Sequence, residues 1–128
     1  MAKAIFLDAT NKTITEVETN GYKDTQKLVG GYIELVRLGR GVDMYVDEEG
    51  LCKEAYIDSD GVKHNMFGVT FKGAPQVYMG NAVIVGSNDE GETTDCPVSK
   101  KDIAKVFTFV EFDNPQDRPE PQMGFISF

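Results

Sequence analysis

Gly80-Asn81-Ala82-Val83-Ile84-Val85-Gly86 is the stretch on which the fold turns. Val83, Ile84 and Val85 are β-branched, and with Ala82 they form an apolar run between glycines that is too short for a helix. Such a run reads as a strand buried on both faces. Upstream, Gln76-Val77-Tyr78-Met79 is a second β-rich run, and Tyr32-Ile33-Glu34-Leu35-Val36-Arg37-Leu38 is a third. In the third, apolar residues fall on both sides of the pleat, which predicts a central strand with both faces partly covered. Gly39-Arg40-Gly41 turns the chain and Val42-Asp43-Met44-Tyr45-Val46 returns it to the acidic turn Asp47-Glu48-Glu49-Gly50, where Gly50 is expected at positive φ.

At the N-terminal side, residues 4–9 and 13–19 read as a hairpin around Thr10-Asn11-Lys12, with an exposed second arm. Tyr22 to Val29 reads as a short helix stopped by Gly30-Gly31. Leu51 to Ile57 fits a strand or a short helix, with the strand preferred. Asp58-Ser59-Asp60-Gly61 is a tight turn, and Gly68 interrupts an apolar run that is expected to be irregular. Gly86 to Asp95 has no apolar side chain to bury and reads as a solvated, mobile loop. Ser99, with Asp102 three residues on, resembles a capping box, so a helix is expected first and then a strand over Val106 to Phe112.

These readings add up to an α+β fold, a mainly antiparallel or mixed β-sheet with one or two short helices. A single domain is expected over residues 1–112. Residues 113–128 form a tail: prolines 115, 119 and 121 argue for an extended linker, and Met123-Gly124-Phe125-Ile126-Ser127-Phe128 is apolar enough to dock on a groove, a sheet edge or another subunit. The tail is thus a route to homo-oligomers.

A chain of 128 residues supports one core without staples. Cys52 and Cys96 stand alone and far apart, which favours reduced, structural thiols and leaves a single disulfide open. The N-terminus meets a charge before any run long enough for a signal peptide, and no stretch is long and apolar enough for a membrane helix. A cytoplasmic location is expected. With 13 Lys+Arg against 21 Asp+Glu, the formal charge of −8 disfavours direct contact with nucleic acid or anionic membranes. The acidity serves solubility or attracts a basic partner.

Three phrases stand out together: Val29-Gly30-Gly31-Tyr32-Ile33-Glu34, Val46-Asp47-Glu48-Glu49-Gly50 and Gly80-Asn81-Ala82-Val83-Ile84-Val85-Gly86. In this order the chain resembles a small family of uncharacterised proteins carried by bacteriophages, plasmids and other mobile elements. The resemblance covers roughly Ile5 to Val85 and implies a protein made in a bacterial cytoplasm. It also implies binding positions at Glu34, Asp47, Glu48 and Asn81, with Asn65 a looser match. Here His64-Asn65-Met66-Phe67 departs from the family's proline-containing surroundings. The acidic loop and the tail fall outside the resemblance.

Chemistry is sparse. His64 is the one histidine, and neither cysteine has a histidine or glycine-rich context nearby, so no catalytic set is assigned. Asp58-Ser59-Asp60-Gly61 is part of a calcium-loop pattern, but Tyr56 and Phe67 occupy its first and last ligand positions, so it reads as a turn. Asp89, Glu90, Glu92 and Asp95 read as a hydrated loop. Phosphate-cradling motifs are missing, and Ser99-Lys100-Lys101 is at most a weak anion site. No metal and no cofactor is assigned.

The leading expectation is a non-enzymatic binding or regulatory protein acting on a host protein. One form is DNA mimicry, with Asp43, Asp47, Glu48, Glu49, Asp89, Glu90 and Glu92 standing in for phosphates. An alternative is a small-molecule binder, holding a nucleotide beside Glu34, Asn65 and Asn81. A further alternative is an enzyme using Glu34, Asp47 and Glu48 as acid or base.

Overall fold

The computed structural model describes residues 2–72 and 76–117. Strands β1 (Ala2–Asp8) and β2 (Thr13–Thr19) form the expected hairpin, whose turn places Lys12 at φ 55°. Helix α1 (Tyr22–Val29) ends where the glycines predict: Gly30 adopts φ 93°, and its N–H donates to the Gln26 carbonyl at 2.7 Å. Only glycine enters this left-handed region without strain.

Strands β3 (Ile33–Gly39) and β4 (Val42–Asp47) follow, then β5 (Tyr56–Ile57), β6 (Lys63–His64), β7 (Phe67–Phe71), β8 (Val77–Met79), β9 (Ala82–Ser87), β10 (Thr93–Thr94), helix α2 (Lys100–Val106) and β11 (Phe107–Glu111). All pairings among the described residues are antiparallel. The large sheet has the order β2-β1-β9-β4-β3, with β10 added to β9. A second sheet has the order β11-β7-β8, and β5 and β6 form a separate hairpin.

The run that decides the fold is at the centre. β9 lies between β1 and β4, and Ala82, Val83, Ile84 and Val85 are all buried. Alternation sends them to two different cores. Ala82 and Ile84 join Ile5, Leu7, Met44 and Val46 against Val69, Phe71, Tyr78, Ile103 and Phe107 of the second sheet and α2. Val83 and Val85 join Ala4 and Val29, with Phe6, Val17, Leu28, Ile33 and Tyr45 alongside, under α1. Each fully buried aliphatic side chain contributes about 1.5–3 kcal/mol. A helix, a large sheet and a small sheet therefore stack in three layers, an α+β architecture in a single compact domain.

Several local expectations are corrected. β3 is an edge strand, not a central one: Leu35 is 50% exposed and neighbouring Tyr32 69%. Apolar residues on both sides of its pleat suggested double cover, but α1 and the second sheet reach only Ile33, Val36 and Leu38. Gly50 is not at positive φ; a Cβ there would sit 2.6 Å from the Met79 carbonyl oxygen, so the requirement is room for a crossing backbone. Leu51 to Ile57 is a strand only at Tyr56–Ile57, because the Cys52 and Lys53 N–H groups turn back onto the Glu49 carbonyl.

The run around Gly68 is a regular strand, β7, and glycine is needed because a Cβ would meet the Tyr78 carbonyl oxygen at 2.5 Å. The acidic segment expected as a loop is a hairpin. Thr93 and Thr94 pair with Ser87 and Gly86, while the Asn88 side-chain oxygen accepts from the Glu90 and Glu92 N–H groups. Polar side chains do not prevent pairing when an Asx-type turn organises the backbone. Ser99 caps α2 as predicted, accepting from the Asp102 N–H at 3.2 Å, and β11 follows at once.

In the tail, Pro115–Asp117 forms one 3-10 turn where an extended linker was expected; Asn114 closes it by accepting from the Gln116 and Asp117 N–H groups. The apolar stretch Met123 to Phe128 lies outside the described residues. Cys52 and Cys96 are free thiols. Among the described residues no helix is long and apolar enough to cross a membrane.

Candidate functional site

At the Gly30 end of α1 a cavity of about 280 Å³ opens between that helix end, the end of β4 and the β5–β6 hairpin. Its wall includes Asp47, Lys53, His64, Asn65 and Asn81. Three of the five binding positions implied by the resemblance, Asp47, Asn65 and Asn81, therefore meet here from distant parts of the chain. Glu34 and Glu48 do not.

Each of the three is held differently. Asp47 ends β4 with its side chain only 5% exposed; one carboxylate oxygen accepts from the Glu49 N–H and the other from the Lys53 ammonium. A buried carboxylate needs such pairing, since unpaired it would lose its hydration without return. Gly31 leaves the room: a Cβ there would lie 3.1 Å from the Lys53 Nζ. Asn81 is a clamp. Its Oδ1 accepts from the buried Ala9 N–H at 2.9 Å and its Nδ2 donates to the Leu28 carbonyl at 3.2 Å, tying the end of β1 to the end of α1.

Asn65 sits at φ 56°, a left-handed position that asparagine tolerates better than most residues. It joins β6 to β7 and is one of the residues lining the cavity.

Charges surround the opening. Lys63 bonds Glu111 at 2.6 Å and Asp113 at 3.4 Å. The Glu111 contact raises the Lys63 pKa, and the same pairing, helped by Lys12, lowers that of Glu111. His64 Nε2 lies 2.7 Å from an Asp58 oxygen, and its ring stacks on Tyr56 with centroids 4.5 Å apart. The His64 hydrogen bond holds the Asp58 carboxyl below the usual range. The other Asp58 oxygen accepts from the Asp60 and Val62 N–H groups, which is the work of a turn residue. Among the described residues no three or more His, Cys, Asp and Glu side chains gather as a metal site.

The residues that did not converge have clear places. Glu34 is exposed on β3, opposite Val46, so it shares the sheet face that packs on the second sheet, and its charge adds to the burial that raises the Tyr78 pKa. Glu48 is exposed, and its N–H donates to the Tyr32 carbonyl at 2.9 Å. The seven acids suggested as phosphate stand-ins do not form one array. Asp43 and Asp47 are buried. Glu48 and Glu49 follow the end of β4, whereas Asp89, Glu90 and Glu92 follow β9, whose Gly86 lies opposite Val42 at the start of β4. A strand of six residues separates the two groups by about 20 Å.

Among the polar side chains of the wall, Lys53, Lys63 and His64 were not placed in a site by the sequence. Isolated lysines carry no motif, and the one signal for Lys53 was Gly31, where a Cβ would crowd its ammonium.

The chain belongs to a family described as a domain of unknown function (DUF3846), whose model matches residues 2–108. The match extends through the acidic hairpin and α2, so the acidic segment lies inside the family's span and not beyond it. Comparison with curated proteins and with solved structures finds no match.

Proposed function

We propose that this DUF3846 domain is a binding module, not an enzyme, and that the cavity at the Gly30 end of α1 takes a small polar ligand of nucleoside size. The single observation that carries the reading is the meeting of Asp47, Asn65 and Asn81 in one wall. At about 280 Å³ the cavity is close to the lower bound of ligand pockets, roughly 300 Å³. That volume suits a base and sugar better than a whole nucleotide, whose phosphates would stay outside. Val29, Val62 and Phe67 offer apolar contact, and the Asn65 amide offers paired donor and acceptor groups for a base edge.

The test is a thermal-shift series with nucleosides and nucleotides on the full chain and on Asn65→Gly. Glycine accepts the left-handed backbone of position 65, so this variant removes the amide and keeps the fold. A ligand at a hundred times its dissociation constant adds about 2.7 kcal/mol of stability to the native chain, and the variant should lose that gain. No shift with any compound, or the same shift in the variant, would refute the reading.

A second reading is favoured by the exposed edge strand. β3 pairs on one side only among the described residues, and it carries Leu35 at 50% exposure, with Tyr32, 69% exposed, just before its start. Such an edge can accept a strand from a partner. In this reading the protein is encoded by a phage or mobile element and binds a host protein in the bacterial cytoplasm through β3. Leu35→Lys should then abolish a partner's recovery while leaving nucleoside binding untouched. Recovery independent of Leu35 would remove this reading. DNA mimicry has less support, because the acids divide between opposite ends of β4. An enzyme using Glu34 with Asp47 has less still, since the two lie on opposite faces of the large sheet.

A further inference from the structure

The other end of α1 also borders a cavity, of about 240 Å³, lined by Thr19, Asn20, Gly21, Tyr22, Thr25, Tyr45 and Thr93 together with Ala2 and Val85. We infer that this second cavity is a site for a small oxyanion, phosphate either free or as a phosphomonoester.

Two independent features point there. The first is the helix end. Gly21 is the N-cap residue of α1 and makes no side-chain cap, so the first-turn N–H groups lack the usual side-chain acceptor. These amides and the positive end of the helix dipole attract an anion. The nearest carboxylate of the helix, Asp24, is committed to the Asn20 N–H at 2.8 Å.

The second feature is Thr19. It is 4% exposed at the end of β2, on the sheet face that α1 covers, and its hydroxyl has no hydrogen-bond partner among the described residues. Because no fully buried side-chain oxygen or nitrogen there lacks a partner, the Thr19 oxygen must open on the cavity it lines. Thr25, equally buried, is already used, its hydroxyl donating to the Gly21 carbonyl at 3.3 Å. An unpaired hydroxyl in so enclosed a place marks a position where a ligand oxygen would be bound.

The remaining wall suits the same ligand. Tyr22 and Tyr45 meet edge to face at 6.2 Å, and Thr93 adds a further hydroxyl-bearing side chain to the same wall. The lining residues include no carboxylate. Asp43, whose charge reaches Tyr45, is paired with Arg37. Neutral donors and a helix end can hold an oxyanion without a cation. The net charge of −8 repels loosely attracted anions, so saturable binding would be site-specific.

The experiment is a titration of the ¹⁵N-labelled full chain with inorganic phosphate and, separately, with phenyl phosphate, followed by amide chemical shifts. Saturable shifts at Thr19 and at Tyr22 to Asp24 are expected, weakened at least about ten-fold in Thr19→Val and unchanged in Asn65→Gly, which separates this site from the cavity at Gly30. Tyr45→Phe serves as a second variant with the same expected direction should Thr19→Val fail to fold. Phenyl phosphate binding much tighter than phosphate identifies the monoester as the ligand; equal affinity identifies free phosphate. Shifts that do not saturate, that fall only on Lys100 and Lys101, or that persist unweakened in the variants would overturn the inference.

Discussion

Helix α1 has a cavity at each end, and the two are built from different materials. At Gly21 the wall is hydroxyl-rich and free of charged side chains, with Thr19, Tyr22, Thr25, Tyr45 and Thr93. At Gly30 it holds the charged side chains of Asp47, Lys53 and Lys63, with the His64 imidazole among them. The helix itself accounts for part of the contrast. Its C-terminal end carries partial negative charge and favours cations nearby, whereas its N-terminal end carries partial positive charge and needs none. Charges in the Gly30 cavity must then satisfy one another, as Asp47 does with Lys53.

If that contrast is right, the Gly30 end is the more costly to disturb. Lys53→Met strands the buried Asp47 carboxylate and should cost about 3 kcal/mol, the low end for breaking a buried pair because Lys53 itself is 32% exposed; urea unfolding measures it. Asn81→Ala leaves the buried Ala9 N–H without its acceptor and should cost about 2 kcal/mol by the same measurement. At the Gly21 end, Thr25→Val removes one hydroxyl bond at nearly constant volume, and about 1 kcal/mol is expected. A larger loss there than for Lys53→Met would break the comparison.

The two ends should also differ in their response to pH. Asp58 and Glu111 are held below their ordinary values by His64 and Lys63. Their contribution is complete above the unfolded carboxylate pKa, about 4, and is lost as pH falls through the lower folded values. Tyr45 shows the opposite sign: burial, then Tyr22, raises its pKa, so its contribution is complete below about pH 10 and is lost as pH rises through the folded value. Carboxyl and phenol titrations by NMR should therefore place the acid-sensitive groups around the β5–β6 hairpin and a late-titrating phenol at the Gly21 end. A Tyr45 that ionises at the ordinary value would remove the second half of that statement.

Most of the elements were readable because their causes are local. The hairpin at Thr10–Lys12, the helix ended by Gly30, the capped start at Ser99 and the buried run Ala82–Val85 each depend on residues a few positions apart. The misreadings share another cause. β3 looked central because its composition is apolar on both faces, yet its neighbours cover only part of it. The acidic hairpin looked like a loop because pairing to Ser87 and Gly86 uses backbone groups, which side-chain polarity does not report.

Of the site, the polar positions at 34, 47, 48, 65 and 81 were named from the sequence, with 65 and 81 expected beside one pocket; the structure adds Asp47 to that wall and leaves Glu34 and Glu48 outside it. The sequence alone determined the β1–β2 hairpin, α1, the buried strand β9 and the capped start of α2, since hydrophobic alternation, glycine punctuation and capping act over a single turn or pleat. Tertiary structure alone decided which strand lies at the edge, why Gly50 and Gly68 must lack a side chain, and which polar groups share a cavity. Those outcomes depend on contacts between residues tens of positions apart, and such contacts leave no periodic trace along the chain.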